Sequence, residues 1–227
     1  MENRLISVVI RCKDESRWIG HALQSVLDHL PGQNEVIIVD NKSTDNSLEI
    51  CQQFKANPAL NENINKYTNI KVVKIDKYSP GAALNLGVSE SSGKYVMFLS
   101  AHCSIEELNL SKIVKDLESY QAIFGNQIPI YRGQKITKRY LWSHFGDQEK
   151  VNMFSDLENR YFFHNALSIM KRKTLIDHPF DEELWGKEDR YWATDVIENH
   201  DGSILYDPKL SCRHYYTPEG NTWKGVG

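Results

Sequence analysis

The sequence predicts an α/β fold in which helices flank a mostly parallel β-sheet. In the first half, short apolar runs rich in β-branched residues alternate with segments whose apolar residues follow helical spacing. Repeated strand, helix, strand units of this kind give parallel strands joined by right-handed crossovers. The first unit is an apolar strand at residues 5–10 followed by an amphipathic helix at residues 18–30.

The rest of the first half repeats this alternation. Further apolar runs predict strands at residues 35–39, 70–75 and 95–99. Helical spacing predicts a helix after residue 45 and further helices at residues 81–88 and 105–120. The polar, asparagine-rich residues 57–69 are typical of an exposed loop.

The regular alternation stops after residue 126. Residues 128–160 are rich in aromatic and charged side chains, with a helix predicted around residues 140–145. We interpret this stretch as a cover over an active site rather than a second domain. The chain then resumes with a strand at residues 166–170, a helix at 189–199, and strands at 203–206 and 210–215.

Length and composition indicate one ordinary globular domain. The chain has 227 residues, of which 41% are hydrophobic and 25% charged, and this size is enough to bury a core. Its formal net charge of −3 gives no electrostatic reason for binding nucleic acid. We therefore expect no nucleic-acid partner.

Sequence features also predict a cytoplasmic protein. No apolar run approaches the ~20 residues that span a bilayer, and the N-terminus lacks the pattern of a signal peptide. The cysteines are far apart and form no CxxC pair, so neither a zinc knuckle nor a disulfide framework is indicated. We expect reduced, mostly buried thiols at Cys12, Cys51, Cys103 and Cys212.

Polar residues directly after the predicted strands are the first candidates for a site. Open α/β sheets bind ligands beyond the carboxyl ends of their strands. The segments in this position are residues 11–15, 40–45, 78–85 and 100–103.

Residues in two of these segments could either bind a ligand or serve only to form the local structure. Asp40 could accept hydrogen bonds from a nucleoside, or could cap the next helix. Gly81 and Asn85 could let the backbone approach a ligand closely, but Pro80 and Gly81 are equally typical of a turn that starts a helix.

Histidines and a pair of acidic residues supply further candidates. His102 and His214 each follow a strand, and imidazole binds several divalent metals, although a single histidine is more often structural. Glu188 and Asp189 precede an amphipathic run, where they could serve catalysis or simply stabilise the first turn of a helix.

The candidate segments occur in a characteristic order along the chain. They are ISVVIRCKDESRWIGHALQSVL, EVIIVDNKSTDNSLEI and SPGAALNLGVSESSGKYVMFLSAHCSI in the first half, and NALSIMKRKTL, PFDEEL, GKEDRYWA and ILYDPKLSCRHYY in the second. In sequence and order they resemble glycosyltransferase family 2, whose members adopt the GT-A fold, a Rossmann-like sheet flanked by helices. The resemblance covers nearly the whole chain, which makes it far more specific than any one motif.

The resemblance implies a single GT-A domain over residues 1–227. Residues 1–104 would bind the nucleotide sugar, and residues 105–227 would bind the acceptor and supply the catalytic base. Asp189 falls at the position of that base, with Glu188 beside it. The implied donor contacts are Arg11, Lys13, Glu15, Asp40, Lys42, Ser43, Gly81, Asn85, Ser100, Ala101 and His102, with Asp40 on the nucleoside.

The sequence departs from the family at its metal motif. Most members have an Asp-x-Asp motif where this chain has Ser100, Ala101 and His102, so the usual first carboxylate is absent. The chain is similar to a subset of the family that carries this Ser-Ala-His turn. His102 and His214 could bind Mn²⁺ or Mg²⁺ together with diphosphate oxygens, or lysine and arginine could balance the diphosphate without a metal.

The resemblance implies an inverting glycosyltransferase that moves a sugar from a nucleotide-sugar donor to a glycan or lipid-linked acceptor. Bacterial surface polysaccharide synthesis, such as that of capsule or O-antigen, is the implied setting, with peripheral association at the inner face of the cell membrane. The alternative is a degenerate GT-A domain that binds a nucleotide or a partner. A nucleotidyltransferase ranks third, because residues 11–17 contain no glycine for a phosphate loop.

Overall fold

The computed structural model describes residues 5–30, 34–56, 69–135, 145–156 and 158–216. Except for their last residues, the loop predicted at 57–69 and the helix predicted at 140–145 lie outside these ranges. The described strands are β1 (Ile6–Cys12), β2 (Glu35–Asp40), β3 (Asn69–Lys74), β4 (Tyr95–Leu99), β5 (Cys103–Glu107), β6 (Ala122–Tyr131), β7 (Gln134–Lys135), β8 (Lys150–Val151), β9 (Phe154–Ser155), β10 (Arg160–Tyr161), β11 (Leu167–Lys171) and β12 (Ile204–Tyr216).

Helices connect the strands of the first half and flank the sheet. They are α1 (Ile19–His29), α2 (Ser47–Ala56), α3 (Pro80–Ser89), α4 (Leu110–Ser119), α5 (Arg172–Asp177) and α6 (Glu188–Asn199). Each helix in the described part of the chain is too short or too polar to span a bilayer. The predicted α/β class is confirmed.

One large sheet has the strand order β3-β2-β1-β4-β11-β6-β12-β5. Strands β3, β2, β1 and β4 are parallel, whereas β11 runs antiparallel to both β4 and β6. The short strands β7 and β8 pair with β6 and β12, and β9 and β10 form a separate pair. Because β1 has β2 on one side and β4 on the other, the strand order reverses there and leaves a crevice at the carboxyl ends.

Strands β1, β2 and β4 are buried on both faces, which explains their nearly continuous apolar sequences. In β1, Val8 and Ile10 pack with Leu23 of α1 on one face, and Val9 packs with Leu84 of α3 on the other. Strands covered on both faces lose the alternation of polar and apolar residues that a half-exposed strand shows. The four cysteines are free and buried, as predicted.

One predicted helix and two predicted strands were wrong in their extent. Residues 105–120 are not one helix, because Ile105 lies in β5 and α4 begins only at Leu110, where the Asn109 side chain accepts a hydrogen bond from the Lys112 amide at 3.1 Å. The strands predicted at 203–206 and 210–215 are one strand, β12. It continues through a bulge containing Pro208, which has no amide hydrogen for the ladder.

The bulge in β12 requires a glycine on the neighbouring strand. A Cβ at Gly125 would meet the carbonyl oxygen of Leu210 at 2.2 Å, so Gly125→Ala is expected to lower the free energy of unfolding by about 1–3 kcal/mol. A Cβ at Gly146 would meet no described atom within 4 Å. The control Gly146→Ala is therefore expected to change stability by about 0.5 kcal/mol or less. Urea unfolding measures the free energy of unfolding of both variants. Equal values for Gly125→Ala and Gly146→Ala would contradict the close contact at the bulge.

Candidate active site

A cleft of about 350 Å³ opens where β1 and β4 end, at the reversal of strand order. This is the place at which open α/β sheets bind ligands. The cleft is lined by Arg11, Cys12, Lys13, Glu15, Asn41, Tyr78, Pro80, Ser100, Ala101, His102 and Trp185. The structure thus brings together the predicted donor residues of the segments after β1 and β4.

The loops after β1 and β2 are joined by hydrogen bonds beside the cleft. Asp14 and Lys42, one in each loop, adopt left-handed backbone conformations, with φ of 53° and 57°. Such conformations are held in place only when surrounding contacts determine them. The hydrogen bonds between the loops are Lys13 Nζ to Lys42 O at 2.7 Å, Thr44 N to Asp14 Oδ1 at 2.7 Å, Glu15 N to Ser47 Oγ at 2.8 Å and Ser16 N to Asp45 Oδ2 at 2.8 Å.

His102 lies in the turn after β4 and is oriented by Glu15. The His102 Nδ1 atom is 2.9 Å from Glu15 Oε1, and because a carboxylate accepts, the imidazole Nδ1–H donates. The His102 ring stacks on His214 with centroids 5.0 Å apart. His214 Nδ1 in turn lies 2.6 Å from Gln127 Oε1. The two histidines proposed from opposite halves of the sequence are therefore neighbours.

These two histidines form an incomplete ligand set for a metal. Both Nδ1 atoms already contact side-chain oxygens, so neither Nδ1 is available to bind a metal. Among the described residues, no three ligand atoms of histidine, cysteine, aspartate or glutamate gather at this turn. Because Mn²⁺ and Mg²⁺ prefer oxygen ligands, the turn fits them poorly. Arg11 and Lys13 supply positive charge in the same cleft.

Arg11 joins the cleft to the first turn of α6. Its Nη1 atom is 3.0 Å from Oε1 of Glu188 and donates to the Pro80 carbonyl at 3.3 Å. The Glu188 side chain is only 7% exposed, so this ion pair is largely shielded from water. Through this ion pair, Glu188 from the second half of the chain contacts a residue that lines the cleft at the carboxyl ends of the strands.

Asp189, the next residue of α6, has an elevated pKa. Burial, and then the charge of Glu188, raise the pKa of Asp189 to about 6, although Arg190 and Arg11 oppose the rise. Its Oδ1 atom accepts a hydrogen bond from the Arg190 amide at 2.8 Å. A carboxyl group with a pKa near neutrality can accept a proton from a substrate and release it again.

Comparison with known proteins settles the family. A model described as "Glycosyl transferase family 2" matches residues 7–178. The chain belongs to glycosyl transferase family 2. The chain is 27% identical over 204 residues to the minor teichoic acid biosynthesis protein GgaA of Bacillus subtilis, covering 86% of this chain and 42% of that protein. It is 26% identical over 239 residues to the poly-beta-1,6-N-acetyl-D-glucosamine synthase of Staphylococcus epidermidis, covering 96% and 52%.

The family 2 chain therefore spans about half the length of these relatives. Among solved structures, residues 1–349 of TarS from S. aureus in complex with UDP-GlcNAc superpose with a TM-score of 0.70 at 19% identity. The match covers 98% of this chain and 61% of that one. It confirms the GT-A fold.

Three donor residues predicted after β2 have other contacts in this family 2 domain. Asp40 is fully buried, and its Oδ1 atom accepts a hydrogen bond from the Ser43 amide at 3.2 Å. Lys42 is exposed and its Nζ donates to the Asp76 carbonyl at 3.0 Å. Asp40 thus organises the loop that follows it, and its predicted contact with a nucleoside stays a prediction.

Gly81 and Asn85 hold the segment that precedes α6. A Cβ at Gly81 would meet the carbonyl oxygen of Asp181 at 2.2 Å, so the close approach that requires glycine is to this backbone. The Asn85 side chain donates to the Phe180 carbonyl at 2.9 Å and accepts from the Phe180 amide at 3.0 Å. Neither residue is among those that line the described cleft, and their predicted donor contacts stay predictions.

Four aromatic residues could either stack on a sugar or pack in the core, namely Trp142, Phe145, Trp185 and Trp192. Burial separates those that the structure describes. Trp185 is 80% exposed and lines the cleft, whereas Phe145 and Trp192 are each 4% exposed and belong to the core. Trp192 Nε1 also donates to the His178 carbonyl at 2.8 Å. Trp142 lies outside the described residues.

Some cleft residues were not singled out from the sequence. Asn41, Tyr78 and Pro80 fall within the segments that follow strands, so their position was the available signal. Cys12 was predicted only as a buried thiol. Burial raises the pKa of Cys12 to about 11, so the thiol stays protonated at neutral pH and is a poor nucleophile.

The Arg11–Glu188 pair is expected to show measurable coupling in a double-mutant cycle. Urea unfolding of Arg11→Met, Glu188→Gln and the double variant should give a coupling free energy of about 0.5–3 kcal/mol, because either single change leaves a shielded charge without its partner. The control is the Lys173–Asp177 pair of α5, whose side chains are 83% and 44% exposed. It should couple by about 0.5 kcal/mol or less. Similar coupling in both pairs would contradict the shielding of Glu188.

Proposed function

We propose that this chain is an inverting glycosyltransferase that moves a sugar from a nucleotide-sugar donor to a glycan or lipid-linked acceptor. The observation that carries the proposal is the ion pair between Arg11 in the cleft and Glu188 in the first turn of α6. It joins a pocket at the ligand-binding edge of the sheet to the helix turn that also carries Asp189, whose pKa is raised to about 6 by burial and by the charge of Glu188. Membership of glycosyl transferase family 2 supports the same reaction class.

In the proposed mechanism Asp189 accepts the proton of the acceptor hydroxyl. The hydroxyl oxygen forms a bond to the anomeric carbon as the bond from that carbon to the diphosphate breaks. The departing nucleoside diphosphate keeps the bonding electrons, and Arg11 and Lys13 stabilise its developing negative charge. A single displacement from the opposite face inverts the anomeric configuration.

The relatives support a choice of substrates to test first. TarS was crystallised with UDP-GlcNAc, which makes UDP-activated N-acetylhexosamines the first donors to examine. GgaA and the poly-beta-1,6-N-acetyl-D-glucosamine synthase are named for teichoic acid and a glucosamine polymer. We therefore propose a role in a bacterial surface polysaccharide or cell-wall polymer, a class that includes capsule and O-antigen, with the acceptor presented at the inner face of the membrane.

Asp189→Asn is expected to lower turnover by about 100- to 10,000-fold, because the variant cannot accept the proton of the acceptor. Binding of the donor should change little, since this change alters none of the proposed donor contacts that line the cleft. Steady-state transfer assays and donor titration calorimetry measure the two effects. Asp177→Asn, on the exposed end of α5, is the control and should retain full turnover. Turnover of Asp189→Asn equal to that of the control would refute the assignment.

The pH dependence of kcat/KM is expected to show an acid limb near pH 6. Below the pKa of about 6, Asp189 is protonated and cannot act as a base, so activity falls as pH decreases. Glu188→Gln removes a charge that raises this pKa, while Arg11 remains to lower it. The acid limb of Glu188→Gln should therefore move to lower pH. A limb that stays in place or moves upward would contradict the coupling between the two carboxyl groups.

The incomplete ligand set at His102 leads us to propose that Arg11 and Lys13 balance the diphosphate without a resident metal. Transfer by the wild-type chain is then expected to be unchanged by chelator and by added Mn²⁺. Loss of activity in chelator, restored by Mn²⁺ in the wild-type chain but not in His102→Ala, would contradict this and assign a metal to His102.

A degenerate, nucleotide-binding module is the second candidate. The observation that favours it is the absence of an Asp-x-Asp carboxylate at residues 100–102. Such a module would bind UDP or a UDP-sugar but would neither transfer nor hydrolyse it. Donor hydrolysis by the wild-type chain that disappears in Asp189→Asn would support the enzyme and reject the module.

A further inference from the structure

A second cluster of metal-ligating side chains lies at the far end of α6. It consists of His178 at the end of α5, Asp195 in α6 and His200 at the end of α6, and its potential ligand atoms all lie within 4.8 Å of one another. The span from Asp189 to His200 is roughly 16 Å along a helix axis. The cluster is therefore separate from the proposed catalytic base at the other end of the same helix.

The three side chains are close enough to share one ion. The rings of His178 and His200 have centroids 3.7 Å apart, and His200 Nε2 is 3.2 Å from Asp195 Oδ2. Ligand atoms around a tetrahedral zinc ion are about 3.3 Å apart when the bonds are near 2.0 Å. To reach that arrangement the two imidazole rings must rotate so that one nitrogen of each points at the ion, and ligand atoms that lie up to 4.8 Å apart must move closer together.

The backbone that carries the cluster is fixed by contacts with the core. His178 is the C-cap of α5, and its carbonyl accepts a hydrogen bond from the indole of buried Trp192 at 2.8 Å. After His200, the chain turns back tightly, and the Gly202 amide donates to the Val196 carbonyl at 2.9 Å. Both histidines are thus presented by anchored helix ends.

Two features around the cluster favour a cation. The Asn199 side chain donates to Asp195 Oδ1 at 2.8 Å, which orients the carboxylate and leaves Oδ2 directed at His200. Such an outer partner is typical of residues that bind metals. His200 also caps the C-terminus of α6, where the helix dipole places partial negative charge.

We propose that His178, Asp195 and His200 form a zinc site. Two imidazole nitrogens and one carboxylate oxygen make a ligand set that zinc prefers, and the partial exposure of Asp195 and His200 leaves a fourth position for water. Hard ions such as Mg²⁺ prefer oxygen ligands and bind this set weakly. The ion links the end of α5 to the last turns of α6, so it stabilises the helix that carries Glu188 and Asp189.

The test uses zinc binding to the full chain in a His102→Ala background, which removes the other stacked pair of histidines. Titration calorimetry with zinc chloride is expected to show one saturable site. His178→Ala and His200→Gln should each abolish it, and Asn199→Ala should weaken it about 10- to 100-fold. His29→Ala is the matched control, because His29 lies in α1 and contacts the Ser25 carbonyl. It should bind zinc like the parent.

Thermal unfolding provides a second readout in the same variants. Because zinc binds the folded state, it should raise the melting temperature of the parent and of His29→Ala but not that of His178→Ala. The bond from Trp192 to His178 uses the backbone carbonyl, so His178→Ala retains it and should fold. Zinc affinity that is equal in the parent and His178→Ala, or a parent without saturable binding, would overturn the proposal.

Discussion

The ion pair between Arg11 and Glu188 is the contact on which the arrangement of this molecule depends. Arg11 lies near the end of β1, at the reversal of strand order, and Glu188 begins a helix that lies far along the chain. Glu188 is mostly buried, and a buried carboxylate without a counter-charge is unfavourable. The pair therefore fixes the first turn of α6, which also carries Asp189, to Arg11 in the wall of the cleft.

Other contacts support the same junction from both sides. Gly81 allows the backbone near Asp181 to lie directly on the start of α3, and Asn85 bonds to both backbone polar groups of Phe180. These contacts hold the segment that leads into α6. On the other side of the cleft, hydrogen bonds join the loops after β1 and β2. These contacts within the chain hold the loops that line the cleft in place, which reduces the entropy that ligand binding must overcome.

The fold class and the location of the cleft could be predicted from the sequence, because periodicity and strand ends are local signals. The identity of β5 could not, since Ile105 is in a strand only by pairing with the distant β12. The same limit applies to side chains. That Trp185 is exposed and Trp192 is buried, or that His102 stacks on His214, depends on which elements pack together. The close packing at Gly81 could not be predicted either, because the carbonyl oxygen it approaches belongs to Asp181, far along the chain.

A crystal structure of the chain with a bound UDP-sugar would test most directly whether the two halves form one catalytic centre. We expect the diphosphate to lie within hydrogen-bonding distance of Arg11 or Lys13. The carboxylate of Asp189 should face the anomeric carbon from the side opposite the diphosphate, with room between them for an acceptor hydroxyl. A donor bound outside the cleft, or an Asp189 carboxylate directed away from the sugar, would contradict the proposed centre.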